Sequence, residues 1–206
     1  LEADTIGGFN SLIAKQKEEE GTALISTVLF DDQTEVLYDR ISLDHIEPMN
    51  DRQYYVRGCT ALLDALGGAI HHIGNVHKYA REEDRPEKTI FIITTDGMEN
   101  LSHRYTCDKV KKMVERQRDR YGWEFLFLGA NIDAIEVAGR FGVQANRAVN
   151  YECDSEGTQL NYEVLSKAVS RVRTCAAPTA AMAFDECDDW AEEIRADYSK
   201  RHRGKR

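Results

Sequence analysis

The sequence predicts an α/β protein with a Rossmann-like, open and mostly parallel sheet, helices on both faces and one antiparallel edge strand. Three observations carry that prediction. Short apolar runs rich in β-branched residues alternate with segments of helical apolar spacing along most of the chain. The run from Lys88 to Thr95 is apolar in its body and polar at its end, as a central parallel strand is when it opens at a site. The turn residues Asp31-Asp32-Gln33 sit between two strand-like runs and predict a hairpin.

Each element follows in order. From Glu2 to Glu20, Ile6, Phe9, Leu12 and Ile13 recur at helical spacing, and Gly21 ends the pattern. Ala23 to Phe30 is apolar and β-branched enough for a largely buried strand, and Thr34 to Leu43 alternates as a half-buried edge strand does. Ser42 to Val56 is a polar loop. Leu62, Leu66, Ala69, Ile73 and Val76 then form a helical stripe, with Thr60 at or beside the helix N-terminus. After the strand at Lys88–Thr95 comes a loop at Asp96–Asn100. A helix over Cys107–Arg120, a strand over Trp123–Leu128, a short helix over Ala134–Phe141, a strand near Ala148–Tyr151 and a helix over Gln159–Arg173 complete the alternation. Residues 1–174 read as one domain. Residues 175–206 read as an acidic and then basic tail, either a docking helix or a frayed end.

Composition narrows the function. The chain has 206 residues, 42% of them hydrophobic, which suits one sizeable core. Its formal charge of −9 is the wrong sign for general attraction to nucleic acid or to an anionic membrane, and no stretch approaches the roughly 20 apolar residues of a bilayer span. Five scattered cysteines, Cys59, Cys107, Cys153, Cys175 and Cys187, lack zinc or disulfide-framework spacing, so free thiols in a reducing cytoplasm are expected.

Ligands of an open α/β sheet bind at the C-terminal ends of its strands, where Gly58-Cys59-Thr60 and Thr94-Thr95-Asp96-Gly97 are predicted to lie. Thr60 offers a hydroxyl and Asp96 a carboxylate, hard oxygen ligands that suit Mg²⁺, Mn²⁺ or Ca²⁺. The same residues also serve as a helix cap and a turn former in many proteins.

Gly58-Cys59-Thr60-Ala61-Leu62-Leu63-Asp64-Ala65-Leu66 and Ile90-Phe91-Ile92-Ile93-Thr94-Thr95-Asp96-Gly97, at this separation, resemble the second and third segments of the von Willebrand factor type A domain. The resemblance covers about residues 1 to 174 and is closest to the bacterial intracellular branch. It implies a metal-ion-dependent adhesion site with Thr60 and Asp96 as two ligands of a Mg²⁺, Mn²⁺ or Ca²⁺ ion. It further implies a central first strand ending in Asp-x-Ser-x-Ser, and neither is found ahead of the first helix here. By the resemblance, that strand and loop lie upstream of Leu1. It would sit between the strands at Ala23–Phe30 and Lys88–Thr95. With only Thr60 and Asp96 as ligands, Mg²⁺ keeps most of its water and binding is expected to be weak or absent.

Other constellations carry less. His71, His72 and His77 lack the three- or four-residue intervals of ligands on one helix face. Cys59 has no histidine in a neighbouring loop and reads as a small buried residue. Gly7-Gly8 and Gly67-Gly68 lack phosphate-loop spacing and read as sites of close helix–sheet packing. The preferred functional reading is a binding module whose ion accepts a carboxylate from a partner protein. A metal-free scaffold and a metal-assisted hydrolase with Asp96 are the alternatives, and no general base or nucleophile beside Asp96 favours the hydrolase.

Overall fold

A computed structural model describes residues 1–56, 58–186 and 189–202 of the chain. The described elements are α1 (Glu2–Lys17), β1 (Leu24–Phe30), β2 (Thr34–Ser42), α2 (Leu62–Tyr79), β3 (Ile90–Thr95), α3 (Cys107–Tyr121), β4 (Glu124–Gly129), α4 (Ala134–Arg140), β5 (Ala148–Asn150), α5 (Ser155–Thr174), α6 (Ala180–Asp185) and α7 (Glu192–His202). This is the mixed α/β class that strand–helix alternation predicts.

β3, β4 and β5 form a parallel sheet in that order, with Thr95, Gly129 and Asn150 in register at its C-terminal edge. Alternation of side chains sends Leu126 and Leu128 of β4 to one face and Phe125 and Phe127 to the other. The first face packs on Val164, Leu165, Ala168 and Val172 of α5, and the second on α2, α3 and α4 through Leu66, Val110 and Ala138. Both faces of β4 are therefore covered, which is why its sequence is apolar without a break from Phe125 to Leu128.

β1 and β2 form a separate antiparallel pair. Sequence pattern predicts one sheet holding both β1 and β3, and here the structure corrects it: no ladder joins them. The two strands are nonetheless held together under shared helices. Leu12 of α1 packs both on the cluster containing Ile25 and on the cluster containing Ile90, while Phe30 of β1 shares a cluster with Ile93 and with Leu62 of α2. The lack of a paired neighbour has a visible effect on burial. Ile92 is 38% exposed although its register partner Leu126 is fully buried, and Leu24 of the expected buried strand is 51% exposed.

Beyond Thr174 the chain returns to the core. Ala177, Ala180, Ala183 and Phe184, then Trp190, Ala191 and Ile194, join the cluster that covers Leu126 and Val149. Arg147 fixes the approach of α6, donating to Glu124 at 2.9 Å and to Asp185 at 2.6 Å. Cys187 and the last basic residues 203–206 lie outside the described residues.

α5 starts at Ser155, four residues before the sequence pattern places it. Asp154 caps it by accepting from the Gly157 N–H at 2.8 Å. Gly157 reads as a breaker, yet it is required inside this turn because a Cβ there would come 2.1 Å from the Glu152 carbonyl oxygen. The glycine pairs differ from expectation in their partner. Gly8 lies against the ring of Tyr162 on α5 and Gly67 against the ring of Tyr105, so each admits an aromatic ring to a helix rather than a helix to the sheet. Gly7 and Gly68 have open space beside them.

Candidate functional site

Five segments meet at the C-terminal edge of the parallel sheet: the start of α1, the loop before α2, and the loops after β3, β4 and β5. Asp96 follows β3 directly and is exposed, while Thr60 is half-buried on the approach to α2. The Thr60 N–H donates to the Asn100 side-chain oxygen at 3.0 Å, and the Asn100 N–H donates to the Thr60 carbonyl at 3.1 Å. A Cβ at Gly97 would stand 2.9 Å from the Thr60 hydroxyl oxygen, so that hydroxyl lies against the residue following Asp96. The structure thus brings Thr60 to the Asp96 loop.

Neither residue plays the local role its type suggests. α2 is preceded by Ala61 at its cap position, and no side chain there accepts a capping bond. Glu99 instead accepts from the Leu63 N–H at 2.7 Å and Ser102 from the Asp64 N–H at 3.0 Å, so the loop after β3 caps the helix from outside. The turn after β3 is closed by the Thr95 hydroxyl, which bonds to both the N–H and the carbonyl of Gly97. Asp64 returns the contact by accepting from the N–H groups of His103, Arg104 and Tyr105 at 2.8–2.9 Å. Desolvation raises its carboxyl, but these three donors together outweigh it and hold the group below the ordinary aspartate value.

The surroundings of Asp96 include residues that sequence reasoning missed. Burial raises the Cys153 thiol, and the Asp96 charge raises it further. Burial likewise raises Tyr54 and Tyr151, with Asp96 again adding to the effect. Asn131, in the left-handed region at φ 58°, hydrogen-bonds Cys153. The start of α1 closes the ring: Glu2 accepts from the Val56 N–H at 2.7 Å, and Asp4 accepts from the Ser155 hydroxyl at 2.9 Å. No pattern in the sequence marks Tyr54, Asn131 or Cys153, because they come from three unconnected loops. The capping contacts of Glu99 and Ser102 carry no local signal either, because the helix they cap lies 36 and 38 residues away in sequence.

Other candidates separate. Cys59, expected to be buried, is exposed because it lies in the loop ahead of α2 rather than under a helix. His72 bonds Asp39 at 2.9 Å, His71 bonds Asn75 at 3.0 Å and His77 packs edge-on to Trp123, so the three rings have three different partners. Among the described residues, no group of three or more His, Cys, Asp and Glu side chains is arranged to hold a metal ion. Thr60 and Asp96 have the oxygen chemistry of a Mg²⁺ site but supply only two protein ligands. No helix of the described residues is long and apolar enough to cross a membrane.

Comparison with known proteins finds no match: no family model, no curated protein and no solved structure is similar to the chain.

Proposed function

We propose that the chain is a metal-ion-dependent protein-recognition module of the von Willebrand factor type A kind, acting in the bacterial cytoplasm and not as an enzyme. The observation that carries this reading is the contact between the Thr60 hydroxyl and Gly97, the residue next to Asp96, which sets two hard oxygen donors at one strand-end loop. A Mg²⁺ or Mn²⁺ ion held there by few protein oxygens retains exchangeable positions, and a carboxylate from a partner protein fills one of them. Recognition then needs no nucleophile. The half-buried Cys153 thiol, raised by desolvation and further by the Asp96 charge, is poorly suited to be one, which favours binding over hydrolysis.

Mn²⁺ titration followed by amide NMR tests the reading. The expected result is weak binding in which Thr60 and residues 96–97 broaden first, Asp96→Ala abolishes that pattern, and an acidic peptide strengthens ion retention. Broadening that is uniform over the surface acidic residues, or that survives Asp96→Ala unchanged, overturns it in favour of a metal-free scaffold.

A further inference from the structure

We propose that the last turn of α7 is a charge-operated clasp, which holds the loop of residues 152–155 closed beside Cys153 and which added salt opens. The proposal is independent of the metal reading, since its ion pairs involve neither Thr60 nor Asp96.

The two ends of α7 are attached by different forces. At its start Trp190, Ala191 and Ile194 are buried in the apolar cluster that contains Leu126 and Val149. Past Ile194 no described residue of the helix is buried, and the attachment there is ionic. The Arg201 guanidinium donates from Nη1 to Asp154, from Nη2 to Glu156 at 3.0 Å and from Nε to Asp197 at 3.0 Å. His202 places Nδ1 3.1 Å from a Glu152 carboxylate oxygen. Consecutive residues of α7 thus hold the two neighbours of Cys153, His202 meeting Glu152 and Arg201 meeting Asp154.

That loop is a junction. One oxygen of Asp154 caps α5 through the Gly157 N–H while the other accepts from Arg201, so a single carboxylate serves both helices. Ser155 bonds Asp4 of α1, and Cys153 bonds Asn131 in the loop after β4. Charge decides whether the junction stays gathered. Among the described residues, Arg201 is the cation that pairs with both Asp154 and Glu156, and it also neutralises Asp197. Without the guanidinium, three carboxylates face one another and repel. Exposed ion pairs are individually weak, but one fork shared by three carboxylates is a network whose members let go together. The Arg201 side chain keeps 25% of its surface in solvent, so salt screens it. Ile194 stays anchored, so opening is a local release of the end of α7 and of the loop it holds.

The test follows the full chain at fixed pH by hydrogen–deuterium exchange and by thiol labelling, with each labelled cysteine located by peptide mass. Between about 0.05 M and about 1 M NaCl the screening length shortens to roughly 3 Å. Over that range exchange at residues 154–157 and labelling of Cys153 are expected to rise about fivefold, while exchange in β4 and labelling of Cys59 stay within about twofold. Arg201→Gln should show the high-salt rates already at low salt and be insensitive to further salt. Arg201→Lys keeps the charge but not the fork, and its rates should fall between the two. Arg195→Gln removes the pair with Asp189 and should change neither rate. A flat salt series in the original chain overturns the proposal, as does an Arg201→Gln protein that retains the original low-salt rates. Equal acceleration in β4 and at residues 154–157 also overturns it, because the whole fold is then loosening. The salt series needs no substitution, so it remains decisive if Arg201→Gln does not fold.

Discussion

Thr60 and Asn100 hold each other by two reciprocal bonds, one from each backbone N–H, across 40 residues of sequence. The approach to α2 and the loop after β3 thus move as one piece. Asn100→Ala removes the side-chain acceptor and is expected to cost about 1 kcal/mol. Exchange of the Thr60 amide should accelerate with it, and exchange in the β4 amides should not.

Two pairs of adjacent glycines give a matched comparison. Gly8→Ala and Gly67→Ala would drive a methyl to within 2.0 Å and 2.4 Å of a tyrosine ring, and each is expected to destabilise by about 1–3 kcal/mol. Gly7→Ala and Gly68→Ala have room and should stabilise their helices by about 0.5–1 kcal/mol. Urea denaturation of the four single variants reads both signs.

That comparison marks how far the sequence is legible. Helical spacing locates α1 and α2 and shows that both pairs lie within helices, but Gly7 and Gly8 have the same sequence context. What separates them is Tyr162, more than 150 residues away, and no local pattern contains it. β3 is similar. Its apolar run and polar end identify a parallel strand and place Asp96 at a strand end, whereas the openness of its far edge depends on which strand lies beside it. At the candidate site, residue type and element position point to Thr60 and Asp96. The Glu99, Ser102 and Asp64 bonds that orient the two loops arise from tertiary placement. The helices after Thr174 are obscured by their charge: Ile194 and Trp190 are apolar residues among many acidic ones.

Arg147 and Glu124 form a buried pair, 5% and 2% exposed, and burial holds the Glu124 carboxyl above its ordinary value even with Arg147 beside it. Arg147→Ala leaves that carboxylate uncompensated and is expected to cost about 3–5 kcal/mol. The double change Arg147→Met with Glu124→Leu should recover most of the loss. Equilibrium unfolding of the single and double variants measures both.

Asp64 predicts a pH dependence. Its folded-state value is depressed, so the stability it contributes is fully present above the ordinary aspartate range and is lost as pH falls through the lower, folded-state value. Asp64→Asn should therefore flatten the acid limb of a stability–pH curve and leave its slope near neutrality unchanged. An identical acid limb in wild type and variant would sink this assignment.

Thiol chemistry orders the cysteines. Cys59 is exposed, while burial raises Cys107 and Cys153. Native protein treated with a thiol-specific chromophore should label Cys59 first, with Cys107 and Cys153 lagging. The denatured, unreduced chain should titrate as five thiols, Cys187 included.

The packing of Phe184, Trp190 and Ile194 against Leu126 and Val149 has a consequence for biosynthesis. A ribosome releases the chain from its amino end, so β4 and β5 emerge before the side chains that cover one of their faces have been translated. Until residues through 194 clear the exit tunnel, the nascent protein carries a bare apolar surface. Compaction of this face waits for those residues, and a message that stalls before they are translated yields a sticky product suited to capture by a chaperone.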